Sequence, residues 1–243
     1  MEKPERIAEA AFVLADLLDA PQEAVDLLER HDQLEKAARL AESRSLAPEL
    51  TVRLWVLARD FDRAIAVARR YRAFAPALAR LEKGNLMEAE ALRLHWARSL
   101  AESGDFGGAA EAVRIVPRAR ALMLKWVDLG IEAGGPQRGA LLVRRLELEP
   151  STSQVQVEFA HQLLNDSAEA TAAERAALAE AVVGSTDAGS LEQRRPLARA
   201  AIRALVRDES TWGVLKPGVM GKLIAFDDGP LRADLPSYAP GVR

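Results

Sequence analysis

Three histidines, His31, His95 and His161, are the only imidazoles in the chain. Two imidazoles share a metal from one helical face when they stand three or four residues apart, and these stand much further apart. A site built on them would need distant segments to converge. Beside Trp96, His95 reads as a packed or half-exposed structural side chain. Cysteine is absent, which removes thiolate ligands, cysteine nucleophiles and disulfides together. The carboxylate pair Asp227-Asp228 stands beside Gly229-Pro230, where a turn explains it better than acid–base work. Gly107-Gly108 and Gly134-Gly135 have no preceding strand to aim a phosphate cradle. No HExxH, Walker-type loop, Gly-x-Ser-x-Gly elbow or dinucleotide fingerprint occurs. No catalytic residue, cofactor or metal is expected, and the chain is not read as an enzyme.

Arginine is the residue type with chemistry to offer, because its planar fork suits carboxylates and phosphates alike. Charge comes in blocks. Asp16, Asp19, Glu23, Asp26, Glu29, Asp32 and Glu35 make an acidic start, followed by Arg59, Arg63, Arg69, Arg70, Arg72 and Arg80. Basic groups return from Arg114 to Arg145, an acidic segment runs from Glu149 to Glu180, and Arg194, Arg195, Arg199, Arg203 and Arg207 follow. Such blocks form separate charged patches. Arg69, Arg70, Arg72, Arg144 and Arg145 are the expected partner-binding cations. They would meet carboxylates of a partner protein or, alternatively, a nucleic-acid backbone. A net charge of −3 and the lack of a basic run interleaved with aromatics favour protein.

The elements that must carry these residues are helices. The 243-residue chain is 49% hydrophobic but only 5% aromatic, and Ala, Leu, Arg and Glu, all strong helix formers, dominate it. Ile7, Ala10, Ala11, Leu14, Leu17 and Leu18 repeat at three and four, the stripe of an amphipathic helix. Similar stripes recur through Trp55, Trp96 and Trp126. Pro48, Pro76, Pro117, Pro136 and Pro150 punctuate them into about a dozen helices of roughly 10 to 17 residues. The fold class expected is all-α. No apolar window approaches the roughly 20 residues a membrane span needs, and Met1 to Arg6 lacks the layout of a secretory signal. A soluble, cytoplasmic protein with no membrane insertion is expected.

A turn recurs at Asp60-Phe61-Asp62-Arg63-Ala64, Asn85-Leu86-Met87-Glu88-Ala89 and Asp105-Phe106-Gly107-Gly108-Ala109. A short polar residue caps a new helix, a large apolar one plugs the bend, and Ala three residues on lets two helices approach. Weaker copies occur at Gln33-Leu34-Glu35-Lys36-Ala37 and, with Gly for Ala, at Gly135-Pro136-Gln137-Arg138-Gly139. This pattern resembles the tetratricopeptide repeat and its irregular, clathrin-type relatives over roughly residues 20 to 150. The best unit is Leu92 to Pro117, with Ala97, Leu100, Gly104, Phe106, Ala109 and Val113 at that family's spacing; Trp55, Phe61, Ala64 and Pro76 match a second. The hinge alanines stand about 20 to 30 residues apart instead of roughly 34, and no peptide-clamp residue carries over. The resemblance implies an α-solenoid of antiparallel helical hairpins over residues 1–208. It also implies a non-catalytic scaffold or adaptor subunit of a larger, bacterial-type protein complex. The competing architecture is an irregular helical bundle.

Gln154 to Leu164 and Ala172 to Val183 read as a further hairpin, and Leu191 to Val206 as a basic amphipathic helix after the break Gly184 to Ser190. Residues 209–243 are rich in Gly and Pro and read as a mostly irregular docking tail with at most one short helix, near Val219 to Ala225. Its Trp212, Leu215, Ile224, Phe226, Leu235 and Tyr238 are too many for a solvated linker. They dock either on this chain or on a partner, and Trp212, Phe226 and Tyr238 join the expected partner contacts.

Overall fold

The polar residues at the recurring turns are helix starts. In the computed structural model, which describes residues 4–152 and 154–226, the Asp60 carboxylate accepts the Arg63 N–H at 3.1 Å and opens a helix over Phe61–Tyr71. Asp105 accepts the Gly108 N–H at 2.9 Å and opens another over Phe106–Ala112. Each cap satisfies one of the backbone donors that a helix leaves orphaned at its start. Among the described residues there are fifteen α-helices and no strand, so the chain is all-α. No helix among them is long and apolar enough to cross a membrane.

Two compact units divide the chain at Leu100/Ala101. The first holds α1 (Pro4–Phe12), α2 (Pro21–Arg30), α3 (Leu34–Ser43), α4 (Pro48–Leu57), α5 (Phe61–Tyr71), α6 (Phe74–Leu81) and most of α7 (Leu86–Glu102). Consecutive helices α1 to α5 pack pairwise, and α6 returns against α4. Their contacts are made by small side chains: Ala24, Ala37, Ala38, Ala41, Ala64, Ala68 and Ala77 are fully buried. An interface of methyl groups lets helix axes approach closely. The large anchor is Trp55, also fully buried, whose indole N–H donates to Glu42 at 2.9 Å. Along α7, Trp96 stacks on Phe74 at 4.5 Å and Arg69 donates to the carbonyl and hydroxyl of Ser99.

Two expectations for this unit are corrected. Leu86 does not plug the Asn85 hinge but stands 66% exposed. The stripe from Ile7 also does not continue as one α-helix. A π-helical turn, Val13–Leu17, follows α1, closed by the Leu18 N–H on the Val13 carbonyl at 3.0 Å. The wider turn inserts one residue into the pattern, so Ile7, Ala11 and Ala15 are buried while Ala10, Leu17 and Leu18 face water.

The second unit holds α8 (Phe106–Ala112), α9 (Arg120–Ala133), α10 (Arg138–Leu148), α11 (Gln154–Asn165), α12 (Ala172–Gly184), α13 (Leu191–Arg207), α14 (Glu209–Val214) and α15 (Val219–Phe226). Its tightest approach is α10 on α12. A Cβ at Gly139 would lie 2.0 Å from the Glu174 carbonyl oxygen and 2.5 Å from the Leu178 nitrogen, so only glycine lets the two backbones meet. The expected irregular tail is corrected over residues 209–226, where two helices form instead of at most one. Asp208 caps α14 by accepting the Ser210 N–H at 3.1 Å. Val219, Met220 and Leu223 of α15 are buried in the core with Leu178, Val182 and Ile202. Glycine and proline crowd the turns around these helices, while the apolar residues between them still bury a face. Asp227, Asp228, Leu235 and Tyr238 lie outside the described residues.

Candidate protein-binding surfaces

Arg70 and Tyr71 end α5 on the rim of a groove of about 440 Å³ formed with the C-terminal end of α3 and the start of α4. Leu46, Pro48 and Val67 supply apolar walls, and Glu42, Ser45 and Thr51 supply polar ones. Tyr71 is half exposed, with the Arg70 guanidinium 5.3 Å above its ring, a cation–π contact that holds the charge at the mouth. The Glu42 carboxylate already accepts the Trp55 indole N–H. The groove offers a ring face, an apolar floor and a guanidinium that makes no ion pair among the described residues. That combination suits an apolar side chain next to an acidic group. Arg72, also exposed, closes the helix in the left-handed region at φ 54°. Arg69 is directed instead to Ser99.

The second arginine pair is held within the chain. Arg144 donates to Glu111 at 2.7 Å and to Glu147 at 2.8 Å, and Arg145 bridges Asp128 at 2.9 Å and Glu149 at 3.1 Å. Arg144 lines a polar groove of about 480 Å³ over the small residues Gly107, Ala110, Ala140 and Gly184. A partner reaching it must displace or share these carboxylates.

Trp212 and Phe226 are half-buried against the second core. The Arg194 guanidinium lies 5.3 Å over the Phe226 ring, and Trp212, Leu215, Pro217 and Met220 border an open hollow of about 650 Å³.

Two buried arginines escaped the sequence reading. Arg175, fully buried on α12, donates to Asp208, to the Thr211 hydroxyl at 3.0 Å and to the Ala168 carbonyl at 3.0 Å. Burial works against the Asp208 charge, but the hydroxyls of Thr211 and Ser210 and the Arg175 cation overcome it and hold the carboxyl down at about 2. Arg194 donates to the carbonyls of Val182 and Ser185, both at 2.9 Å, and of Asp187. It thereby ties the Gly184–Ser190 break to α13. Desolvation lowers the Arg194 pKa, against the raising effect of Glu147 and Asp187. Both arginines clamp loops to helices. One signal was available: Arg175 falls on the stripe of Ala172, Ala176, Ala179 and Val182, where a charge is expensive unless it is met by partners.

His95 stacks on Phe61 at 4.3 Å with the rings 5° from parallel. Desolvation and then the Arg98 charge lower its pKa, against the pull of Asp62, a net lowering that favours the neutral imidazole. Among the described residues no group of three or more His, Cys, Asp or Glu side chains could hold a metal ion. No family model, curated protein sequence or solved structure matches the chain.

Proposed function

We propose that the chain is a non-catalytic protein-binding scaffold or adaptor subunit of a larger complex, built from hairpins of the tetratricopeptide-like kind. The observation that carries the reading is the α3–α5 groove, where Arg70 and Tyr71 stand open beside an apolar floor. Fully buried alanines between consecutive helices support it, since they allow the close side-by-side packing on which helical repeats depend. The mechanism is recognition: an apolar side chain of a partner segment on Tyr71 and Leu46, and its carboxylate on Arg70. A nucleic-acid reading draws on one observation, the row of exposed Arg195, Arg199 and Arg203 along α13.

Affinity purification of the tagged chain after nuclease treatment separates the two. The scaffold reading expects a defined protein to be retained and to be lost with Arg70→Glu/Tyr71→Ser. A phosphate-binding surface instead loses about 10³- to 10⁵-fold in affinity between roughly 50 and 200 mM salt. It would also respond to Arg199→Glu/Arg203→Glu and ignore Arg70.

A further inference from the structure

We infer that the outer face of α1 and the π-helical turn docks a basic amphipathic helix of a partner protein. The inference rests on the scaffold reading and gives a partner chemistry to a surface other than the α3–α5 groove.

The face is apolar at its centre. Phe12 is 59% exposed, Val13 41%, Leu17 69% and Leu18 64%. No other stretch among the described residues exposes four large apolar side chains together, and contiguous exposed apolar surface of this kind marks interaction sites.

The backbone produces this exposure. In an uninterrupted helix Leu18 would follow Ile7, Ala11 and Leu14 onto the buried stripe. The π turn hands that place to Ala15 and turns Leu17 and Leu18 outward.

Charge decides the occupant. Glu5 and Glu9 stand before the apolar centre, and Asp16 and Asp19 within and after it, all exposed. Glu5, Glu9 and Asp19 make no ion pair among the described residues. Asp16 is held by Arg44, and Arg6 is the one cation among residues 4–19. From Glu5 to Asp19 the band is about 20 Å long, three to four turns of a partner helix. Leucine-type side chains on one face of such a helix would cover Phe12, Val13, Leu17 and Leu18, with lysines or arginines along its margins on the carboxylates. A second copy meeting the same face would bring like charges together, and an anionic bilayer surface is repelled by the same carboxylates.

The test uses the full chain and a fluorescein-labelled Leu/Lys amphipathic peptide of about four helical turns. A Leu/Glu peptide with the same apolar face and a scrambled Leu/Lys peptide serve as comparisons, read by anisotropy. The expected result is binding of the ordered Leu/Lys peptide at least about tenfold tighter than of either comparison. Phe12→Ser/Leu17→Ser, at exposed positions, loses at least about tenfold with an unchanged circular dichroism spectrum. Glu5→Lys/Glu9→Lys/Asp19→Lys reverses the preference towards the Leu/Glu peptide, and Arg70→Glu changes nothing. Equal binding of ordered and scrambled peptides, or indifference to Phe12→Ser/Leu17→Ser, overturns the inference. So does a concentration-dependent dimer abolished by Leu17→Ser, which assigns the face to a second copy, or its cosedimentation with anionic vesicles. If the α3–α5 groove captures its partner while the peptide ignores α1, this inference alone fails. If the peptide behaves as expected while Arg70→Glu/Tyr71→Ser leaves partner capture intact, the groove reading alone fails.

Discussion

Breaking the Arg175–Asp208 pair should cost far more than breaking any ion pair on the surface of this protein. Arg175 is fully buried and Asp208 is 8% exposed. Replacing Arg175 with Met removes the cation but keeps an apolar stem, leaving Asp208 without its counter-charge and the Ala168 carbonyl and Thr211 hydroxyl without their donor. Loss of one member of a buried pair costs about 3–5 kcal/mol. Asp208→Asn keeps the shape of the cap on α14 and strands the cation instead, with a loss in the same range. In the double variant neither charge remains, so the losses should not add, and a coupling energy of about 1–3 kcal/mol is expected. Urea unfolding at pH 7, read by hydrogen exchange on peptides from α12 to α14, measures all corners of the cycle. A coupling below about 0.5 kcal/mol, the value of an exposed pair, would refute the claim that this arginine is bound in a water-poor clamp.

The same clamp predicts a pH response. The folded Asp208 pKa of about 2 lies below the ordinary 3.8, so its contribution is complete above about pH 4 and disappears as pH falls towards 2. The shift corresponds to about 2 kcal/mol at full weight and about 1–2 kcal/mol once residual solvent screening is counted; Asp208→Asn should flatten acid unfolding of α12–α14 in that window. For His95, lowered by desolvation and Arg98, stability is complete above the unfolded value of 6.5 and falls as pH drops below it. His95→Gln should remove that dependence in pH-resolved thermal melts. Gly139→Ala should destabilise by about 1–3 kcal/mol through overpacking against α12. Gly184→Ala, with nothing within 4 Å of its new methyl, should be neutral or stabilising by up to about 1 kcal/mol in the same thermal melts. Asp60→Ala should cost about 1 kcal/mol by loss of the α5 cap.

What could be read from residue types was whatever local chemistry decides. Asp60 and Asp105 cap helices because their carboxylates reach a backbone N–H three residues on, and the alanines after them are buried because a methyl group is all the helix crossing admits. Gly139 was visible as a substitute for the hinge alanine, for a related reason of space. Three features were not legible. The π turn keeps the helical composition of its neighbours and changes only which side of the stripe meets α2. The helix near Val219 to Ala225 was legible and forms as α15, whereas α14 over Glu209–Val214 was hidden by the surrounding glycines and prolines, although Asp208-Glu209-Ser210 carries a cap signal. The buried arginines were hidden because the groups that neutralise them, Asp208 and the carbonyls around Ser185, come from turns whose position only tertiary packing fixes. The groove at Arg70 and Tyr71 was half legible: the cation was singled out, but the walls from α3 and α4 were not.

The alternation of acidic and basic blocks has a structural counterpart that bears on the proposed architecture. Asp16 pairs with Arg44, Glu29 with Arg53 at 2.6 Å, Glu49 with Arg80 at 3.5 Å, Arg59 with Glu88 at 3.0 Å and Glu111 with Arg144 at 2.7 Å. The partners stand 24 to 33 residues apart, close to the distance between successive hinges. Each pair thus ties two segments that lie 24 to 33 residues apart in the sequence, a spacing that stacked hairpins, as proposed above, would produce. Pairs this exposed contribute about 0 to 1 kcal/mol each, too little to hold the fold, but like charges in the wrong register would repel, so they favour one alignment of neighbouring helices over its slips. The pairing also sorts the arginines by function. Arginines with an acid 24 to 33 residues away are engaged within the fold, whereas Arg70 and Arg72, exposed on the first unit, make no ion pair among the described residues.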